Sequence, residues 1–425
     1  MTKMKPMKIP FSPPDMSEDE AKAVRETVLS GWITTGPRTK KLEAQISEYV
    51  GTVKAVCLSS ATASMEMMLH LLDIQPEDEV IVPAYTYTAT ASVTQHVGCQ
   101  LVMVDSQKDN VEMDYEQLEQ AITEKTKVIM PVDIAGIVAD YDRVYEIVER
   151  KKSLFRSANA LQAKIGRIVV VADCAHAFGA VRKGKMAGAI ADFSAFSFHA
   201  VKNFTTAEGG ALTWNLPFGN EIVPTAIDYM PTVPKTEGET WNEMLYRISQ
   251  LFSLHGQNKD ALAKTKGGMW EYDIIGPWYK CNMTDIMASL GLVQMQRYPK
   301  MLERRQQIVA RYNAALRGLN VAVLNHKDAE HCSSHHLYMV RLPGKSREEV
   351  NRVMEQMAER GIATNVHFKP LPMMTAYKAL GFDITDYPNA YHLFENEITL
   401  PLYTRLTDEE VDYVITNFVD IIKNL

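Results

Sequence analysis

Cysteine is scarce in this 425-residue chain. The five present (Cys57, Cys99, Cys174, Cys281, Cys332) are odd in number, widely separated and never in a CxxC pair, which argues against a disulfide framework or a structural zinc site. A reducing compartment fits that usage, and no metal is expected. No stretch of about 18 apolar residues occurs, and Met1 to Pro14 is basic, carries four prolines and lacks an apolar h-region. Neither a membrane span nor a secretory leader is expected, so the chain reads as soluble and cytoplasmic. No run of five basic residues exists, and 52 acidic against 45 basic side chains give a net charge of −7, so no footprint for nucleic acid or anionic lipid is present. GxGxxG, GxxxxGK[ST], HExxH and GxSxG are all missing, which removes the signatures of nicotinamide, P-loop, zincin and α/β-hydrolase chemistry.

What remains is an ordinary folded composition, 46% hydrophobic and 23% charged, with a length that implies about two or three domains. Ser17-Glu18-Asp19-Glu20 has capping-box spacing, and Ala21, Val24, Val28 and Leu29 follow at helical intervals until Gly31. From Ala55 to Trp214, short β-branched runs (Ala55–Leu58, Val80–Val82, Leu101–Val104, Val128–Val132, Ile168–Val171) alternate with helical stretches. That rhythm predicts crossover units and a mostly parallel sheet covered on both faces. Residues 215–258 are expected to form an irregular excursion. Asp285–Tyr298 reads as a helix continuing past Pro299 into Met301–Leu316. Beyond Val321 the spacing predicts a strand at Leu337–Arg341, a helix at Ser346–Arg360, a strand at Ala363–Phe368 and a closing helix at Asp408–Ile422. The division expected is a large domain over 1–299, including the N-terminal segment, and a smaller C-terminal α+β domain over 300–425. With no flexible linker, the two are expected to pack as one body.

Three segments could carry chemistry. Cys57-Leu58-Ser59-Ser60-Ala61-Thr62-Ala63 follows a strand and opens a helix, so it reads either as an anion cradle at a helix N-terminus or as a plain cap through Ser60 or Thr62. Val169 to Asp173 is an apolar strand ending in a carboxylate, followed by Cys174, Ala175 and His176. An acid there sits where open α/β sheets bind ligands, although it also suits a turn, and His176 alone also suits a structural role. The third segment, Phe196 to Gly210, carries Lys202 among small, aromatic and hydroxyl residues. Partial desolvation would free its amine as a nucleophile; exposure would leave it an ordinary surface lysine.

In this order the segments resemble the DegT/DnrJ/EryC1/StrS family of pyridoxal-phosphate sugar aminotransferases, of fold type I. The family's lysine motif is similar to Ser197-Phe198-His199-x-x-Lys202-x-x-Thr205-x-x-Glu208-Gly209-Gly210. The resemblance extends to Ser30–Pro37, Val82–Tyr87, Pro131–Asp140, Tyr279–Asp285 and Val366–Leu371, nearly the whole chain. Its wording is similar to the UDP-4-amino-4-deoxy-L-arabinose synthase branch. It implies a large domain built on a mixed, mostly parallel seven-stranded sheet, with a smaller C-terminal α+β domain.

The resemblance also implies roles. Lys202 would bind pyridoxal 5′-phosphate covalently and move the proton, Asp173 would pair with the pyridinium nitrogen, and His176 would lie near the phenolic oxygen. Tyr87 would stack on the ring, and Ser60, Ala61, Thr62 and Ser197 would hold the phosphate. Asn282, and Lys280 with it, would reach the partner's cofactor in a homodimer with shared active sites, although Asn282 alone also suits a cap for the helix beginning near Thr284. The reaction implied is ping-pong Schiff-base transfer of an amino group from L-glutamate to a nucleotide-linked keto sugar, with Thr34, Thr35, His336, His367 and Lys369 as candidates for the substrate. A sugar dehydratase of the same fold replaces the lysine by histidine, so Lys202 counts against that alternative; a non-catalytic regulator is the other. Lys151–Gly166 and Phe218–Glu243 are longer than the family pattern and are expected on the rim of the site. Ala61 stands where many relatives have glycine, a small departure.

Overall fold

The β-branched runs become strands buried on both sides because successive side chains point to opposite faces. In the computed structural model, which describes residues 6–425 other than 226, 228 and 259–270, Val169 and Val171 pack into one hydrophobic cluster while Val170 and Ala172 pack into another. Val80 and Val82 against Ile81, and Val56 and Leu58 against Ala55 and Cys57, divide the same way. The strands are β1 (Ala55–Leu58), β2 (Glu79–Pro83), β3 (Gln100–Val104), β4 (Thr126–Ile129), β5 (Val169–Asp173), β6 (Phe193–Ser197) and β7 (Gly210–Trp214). They form one seven-stranded sheet in the order β1-β7-β6-β5-β4-β2-β3. β3, β2, β4, β5 and β6 run parallel, whereas β7 pairs antiparallel with both β6 and β1. β4 stops three residues before the predicted end, since Pro131 has no N–H to continue the ladder, and Val132 makes only an isolated bridge to Asp173.

Helices follow their caps. α1 (Glu18–Leu29) has the predicted capping box between Ser17 and Glu20. α2 (Pro37–Val50) is preceded by Gly36, whose residue type offers no cap; Asp285 takes that role from 246 positions away, accepting the Thr39 N–H at 2.8 Å. α3 (Ala61–Leu71) begins directly beyond β1. Asp285–Leu316 is one 32-residue helix with Pro299 inside it, so it crosses position 299 unbroken.

A second sheet of three antiparallel strands, Ala322–Val323, Tyr338–Arg341 and Glu397–Leu400, lies beneath helices Arg347–Glu359 and Asp408–Lys423, each with a capping box. Ile9 joins the core of this region and bridges to Ile362, tying the N-terminal segment to C-terminal residues. Among the described residues, no helix is long and apolar enough to cross a membrane.

Three expectations are corrected. The 215–258 region is not uniformly irregular: Trp241–Ser253 is a helix with a Thr240/Glu243 capping box and buried Trp241, Leu245, Ile248 and Phe252. Ala363–Phe368 is not a strand, and only Asn365 pairs, with Thr399. Among the described residues, neither of the two longer segments lines the cavity that holds Asp173 and Lys202. Asn159 and Gln162 donate to the Leu72 carbonyl, and the Tyr229 hydroxyl donates to that of Leu71, so both segments converge on the far end of α3, about 16 Å from its N-terminus.

Candidate active site

The carboxyl ends of β5 and β6 and the turn from β1 into α3 open on one cavity of about 430 Å³. Asp173, the last residue of β5, is buried at its floor. The Thr90 hydroxyl donates to one carboxylate oxygen at 2.7 Å and the Ala175 N–H to the other at 3.0 Å. Burial raises the carboxyl's pKa, opposed by these two hydrogen bonds and by the charge of Lys202.

Lys202 sits on the turn after β6, its N–H donating to the His199 carbonyl at 2.9 Å, and it lines the same cavity. Desolvation lowers its amine to about 8, with the negative charge of Asp173 opposing the shift. An amine of that kind is a free nucleophile near neutral pH far more often than an exposed lysine.

Two histidines stand beside it in fixed tautomers. The Ala135 N–H donates to His176 Nδ1 at 3.2 Å, so the hydrogen of neutral His176 is on Nε2. The Asn203 amide donates to the Ser334 carbonyl at 2.7 Å, which turns its oxygen to His336 Nδ1 at 2.9 Å; that nitrogen must donate, leaving Nε2 as the acceptor. The two rings are 4.3 Å apart, and burial, first of all, holds both pKa values well below the ordinary range. Phe368 stacks on His176 at 5.9 Å.

At the opposite end of the cavity Ser60 does act as a cap, its hydroxyl accepting the Ala63 N–H at 3.0 Å. That leaves the Ala61 and Thr62 N–H groups, which have no acceptor among the described residues, as the donors at the N-terminus of α3. The strand beside them can approach because residue 210 is glycine: a Cβ there would stand 2.3 Å from the Ser60 carbonyl carbon and 2.5 Å from the Ala61 nitrogen. Ser197 lines the cavity nearby, and Tyr87, 62% exposed, stands at its edge with its ring 6.1 Å from Phe368.

His336 and His367 line the cavity, but Thr34, Thr35, Lys280, Asn282 and Lys369 do not. Asn282 pairs through its backbone with Leu58 and through its amide with the Thr35 hydroxyl, and Lys280 donates to Asn282 Oδ1. The helix cap there is Thr284, whose hydroxyl accepts the Met287 N–H, rather than Asn282. Thr90, Asn203 and Phe368 are site residues that sequence reading missed. Asn203, inside the lysine segment, and Phe368, inside Val366–Leu371, stood within segments already singled out, whereas Thr90 did not.

The sequence pattern of the DegT/DnrJ/EryC1/StrS aminotransferase family matches residues 14–419. The chain belongs to that family. It is 32% identical over 423 residues to the spore coat polysaccharide biosynthesis protein SpsC of Bacillus subtilis, covering 98% of this chain and 97% of that one. It superposes with a TM-score of 0.89 on Spr1654 of Streptococcus pneumoniae, provisionally named a sugar aminotransferase, at 54% identity over 98% of both chains; that protein has been solved in apo, pyridoxal-phosphate and pyridoxamine-phosphate forms. PseC of Helicobacter pylori, 24% identical with a TM-score of 0.83 over 99% of this chain and 100% of that one, shares the fold.

The fold of this aminotransferase is that of the type I pyridoxal-phosphate enzymes, and the family's cofactor is pyridoxal 5′-phosphate. The cavity fits that group on its own chemistry. Free N–H donors at a helix N-terminus suit a phosphate, a buried carboxylate suits a protonated ring nitrogen, and an amine of lowered pKa suits an aldehyde.

Proposed function

We propose that this aminotransferase moves an amino group from L-glutamate to the keto carbon of a nucleotide-linked sugar, a 4-keto sugar in particular, in two half reactions. The observation that carries the reading is that Asp173 and Lys202 line one cavity and interact electrostatically. The family membership and the 54% identity to Spr1654 support the sugar as substrate.

When bound, pyridoxal phosphate supplies an electron sink for the carbanion formed as the amino group changes hands. The protein's own groups do the rest. Asp173, kept in place by Thr90 and Ala175, holds the ring nitrogen protonated. Lys202 would hold the cofactor and, as a free amine, would carry the proton. His176 offers Nε2–H to the phenolic oxygen. Ala61, Thr62 and Ser197 bind the phosphate, and Tyr87 covers the ring. His336 and His367 face the sugar. Asn282 and Lys280, outside the cavity within one subunit, complete the partner's site in a cytoplasmic homodimer, and residues 1–299 and 300–425 serve as its large and small domains.

The test is to load the protein with L-glutamate, offer a panel of keto-sugar nucleotides, and search by mass spectrometry for a product carrying a new amine. A deoxygenated product would instead identify a dehydratase. A colourless protein with no amine exchange from glutamate would identify a non-catalytic relative.

A further inference from the structure

Behind His367, on the side away from the cavity, lies a carboxyl that the transfer chemistry above does not use. Glu397 and Thr399 are two residues apart on strand Glu397–Leu400 and so point the same way. Both are completely buried. The Thr399 hydroxyl lies 2.5 Å from Glu397 Oε1 and 2.9 Å from His367 Nδ1, while Glu397 Oε2 accepts the His367 N–H at 2.9 Å. His367 Nε2 has no partner among the described residues, and the residue lines the cavity.

This chain of bonds has two consistent settings. An ionised Glu397 can only accept, so Thr399 donates to it, His367 Nδ1–H donates to Thr399, and Nε2 keeps a lone pair. With a proton on Glu397 Oε1 each bond reverses: the acid donates to Thr399, Thr399 donates to Nδ1, and Nε2 carries the hydrogen. The protonation of a carboxyl outside the cavity thereby sets whether His367 donates or accepts within it.

We propose that Glu397 and Thr399 are positioning residues of a proton relay that lets His367 Nε2 deliver a proton to the carbonyl oxygen of a keto substrate and recover it. In the forward direction Nε2–H passes to that oxygen, the Thr399 hydroxyl hydrogen passes to Nδ1, and the Glu397 proton passes to Thr399. Only N–H and O–H bonds change, and the negative charge ends on Glu397. The relay rests on the proposed aminotransfer, since that reaction supplies the carbonyl.

The surroundings suit a carboxyl that exchanges its proton. Burial lifts Glu397 to about 8, opposed by its bonds from Thr399 and the His367 N–H and by the charge of Arg347. Arg347 itself donates to the Glu397 carbonyl at 2.7 Å, Arg341 on the neighbouring strand is paired with Asp109, and the Tyr85 hydroxyl donates to the His367 carbonyl at 2.6 Å. Burial, then the Lys202 charge, keeps His367 neutral, so it passes protons rather than storing one.

Two measurements on the holoenzyme test the relay. Infrared spectra should contain a protonated-carboxyl component that fades as pH rises through about 8 and is missing from Glu397→Gln. Single-turnover reaction of the pyridoxamine form with 2-oxoglutarate, followed by the return of visible absorbance, should be slowed about 100-fold by Thr399→Val, as expected for loss of general acid–base assistance. The ratio of wild-type to Thr399→Val rates, in which the titration of Lys202 cancels, should fall as pH rises through about 8 and Glu397 loses its proton, and Thr399→Ser, which restores the hydroxyl, should recover both the rate and the native profile. A Thr399→Val enzyme with the native pH profile, a Thr399→Ser enzyme as impaired as Thr399→Val, or an unchanged infrared band in Glu397→Gln overturns the relay. A wild-type protein inert to both glutamate and 2-oxoglutarate would instead overturn the aminotransferase reading, while the infrared result still decides the protonation.

Discussion

Lys202 and Asp173 each have an ordinary alternative in isolation, an exposed cation and a strand-end turn, and each loses that alternative through the other. The carboxylate's charge holds the amine's pKa up while burial pulls it down to about 8. Capture of pyridoxal phosphate by apoenzyme needs the neutral amine, so its rate should rise with pH through about 8. Asp173→Asn removes the charge that supports the ammonium, so the midpoint should move to lower pH, read from the growth of visible absorbance; a midpoint that stays or rises contradicts the coupling. Turnover of Asp173→Asn should fall by ~100-fold or more, the scale of losing one preorganised electrostatic partner. Lys202→Ala should lose both the borohydride-sensitive visible band and transamination.

Elements set the approach of groups that no single residue controls. Gly210 lets β7 lie against the first turn of α3, where a Cβ would meet backbone atoms rather than a yielding side chain. Gly210→Ala should therefore cost about 1–3 kcal/mol, as overpacking does, visible as a lower denaturant midpoint. It should also speed release of the cofactor phosphate, since the Ala61 and Thr62 N–H groups are displaced with the turn. Unchanged cofactor retention would show that β7 does not shape the phosphate end. At this scale the sequence was readable where a cap and a period coincide, as in α1 and Asp408–Lys423. Trp241–Ser253 carried the same signal, a Thr240-x-x-Glu243 box, and was hidden by the glycines and prolines before it. Ala363–Phe368 has strand-like composition, but only Asn365 finds a ladder partner, and the freed backbone turns His367 toward Glu397 and the cavity.

Across the whole molecule the Thr35–Asn282–Lys280 cluster stands outside the cavity of its own subunit. If it completes a partner's site, Lys202→Ala and Asn282→Ala proteins, each inactive, should regain about a quarter of wild-type activity when equal amounts are unfolded, mixed and refolded, because half of the dimers then hold one intact site. No recovery, with dimers present by light scattering, would place Asn282 outside the shared site. The two long segments at 151–166 and 218–243 brace the far end of α3 and are expected to affect stability more than substrate choice.

The order of alternating strands and helices, the sheet covered on both faces, and the segments bearing Ser60, Asp173 and Lys202 were all legible along the chain, because periodicity and local motifs are properties of neighbouring residues. Thr90 under Asp173, the Asn203 amide that fixes His336, and the Glu397–Thr399–His367 chain came only from the fold. Thr90 lies 83 positions from Asp173, and Asn203 lies 133 from His336. Hydrogen bonds across such separations depend on which strand ends and loops the sheet order brings together, and a linear pattern carries no record of that distance.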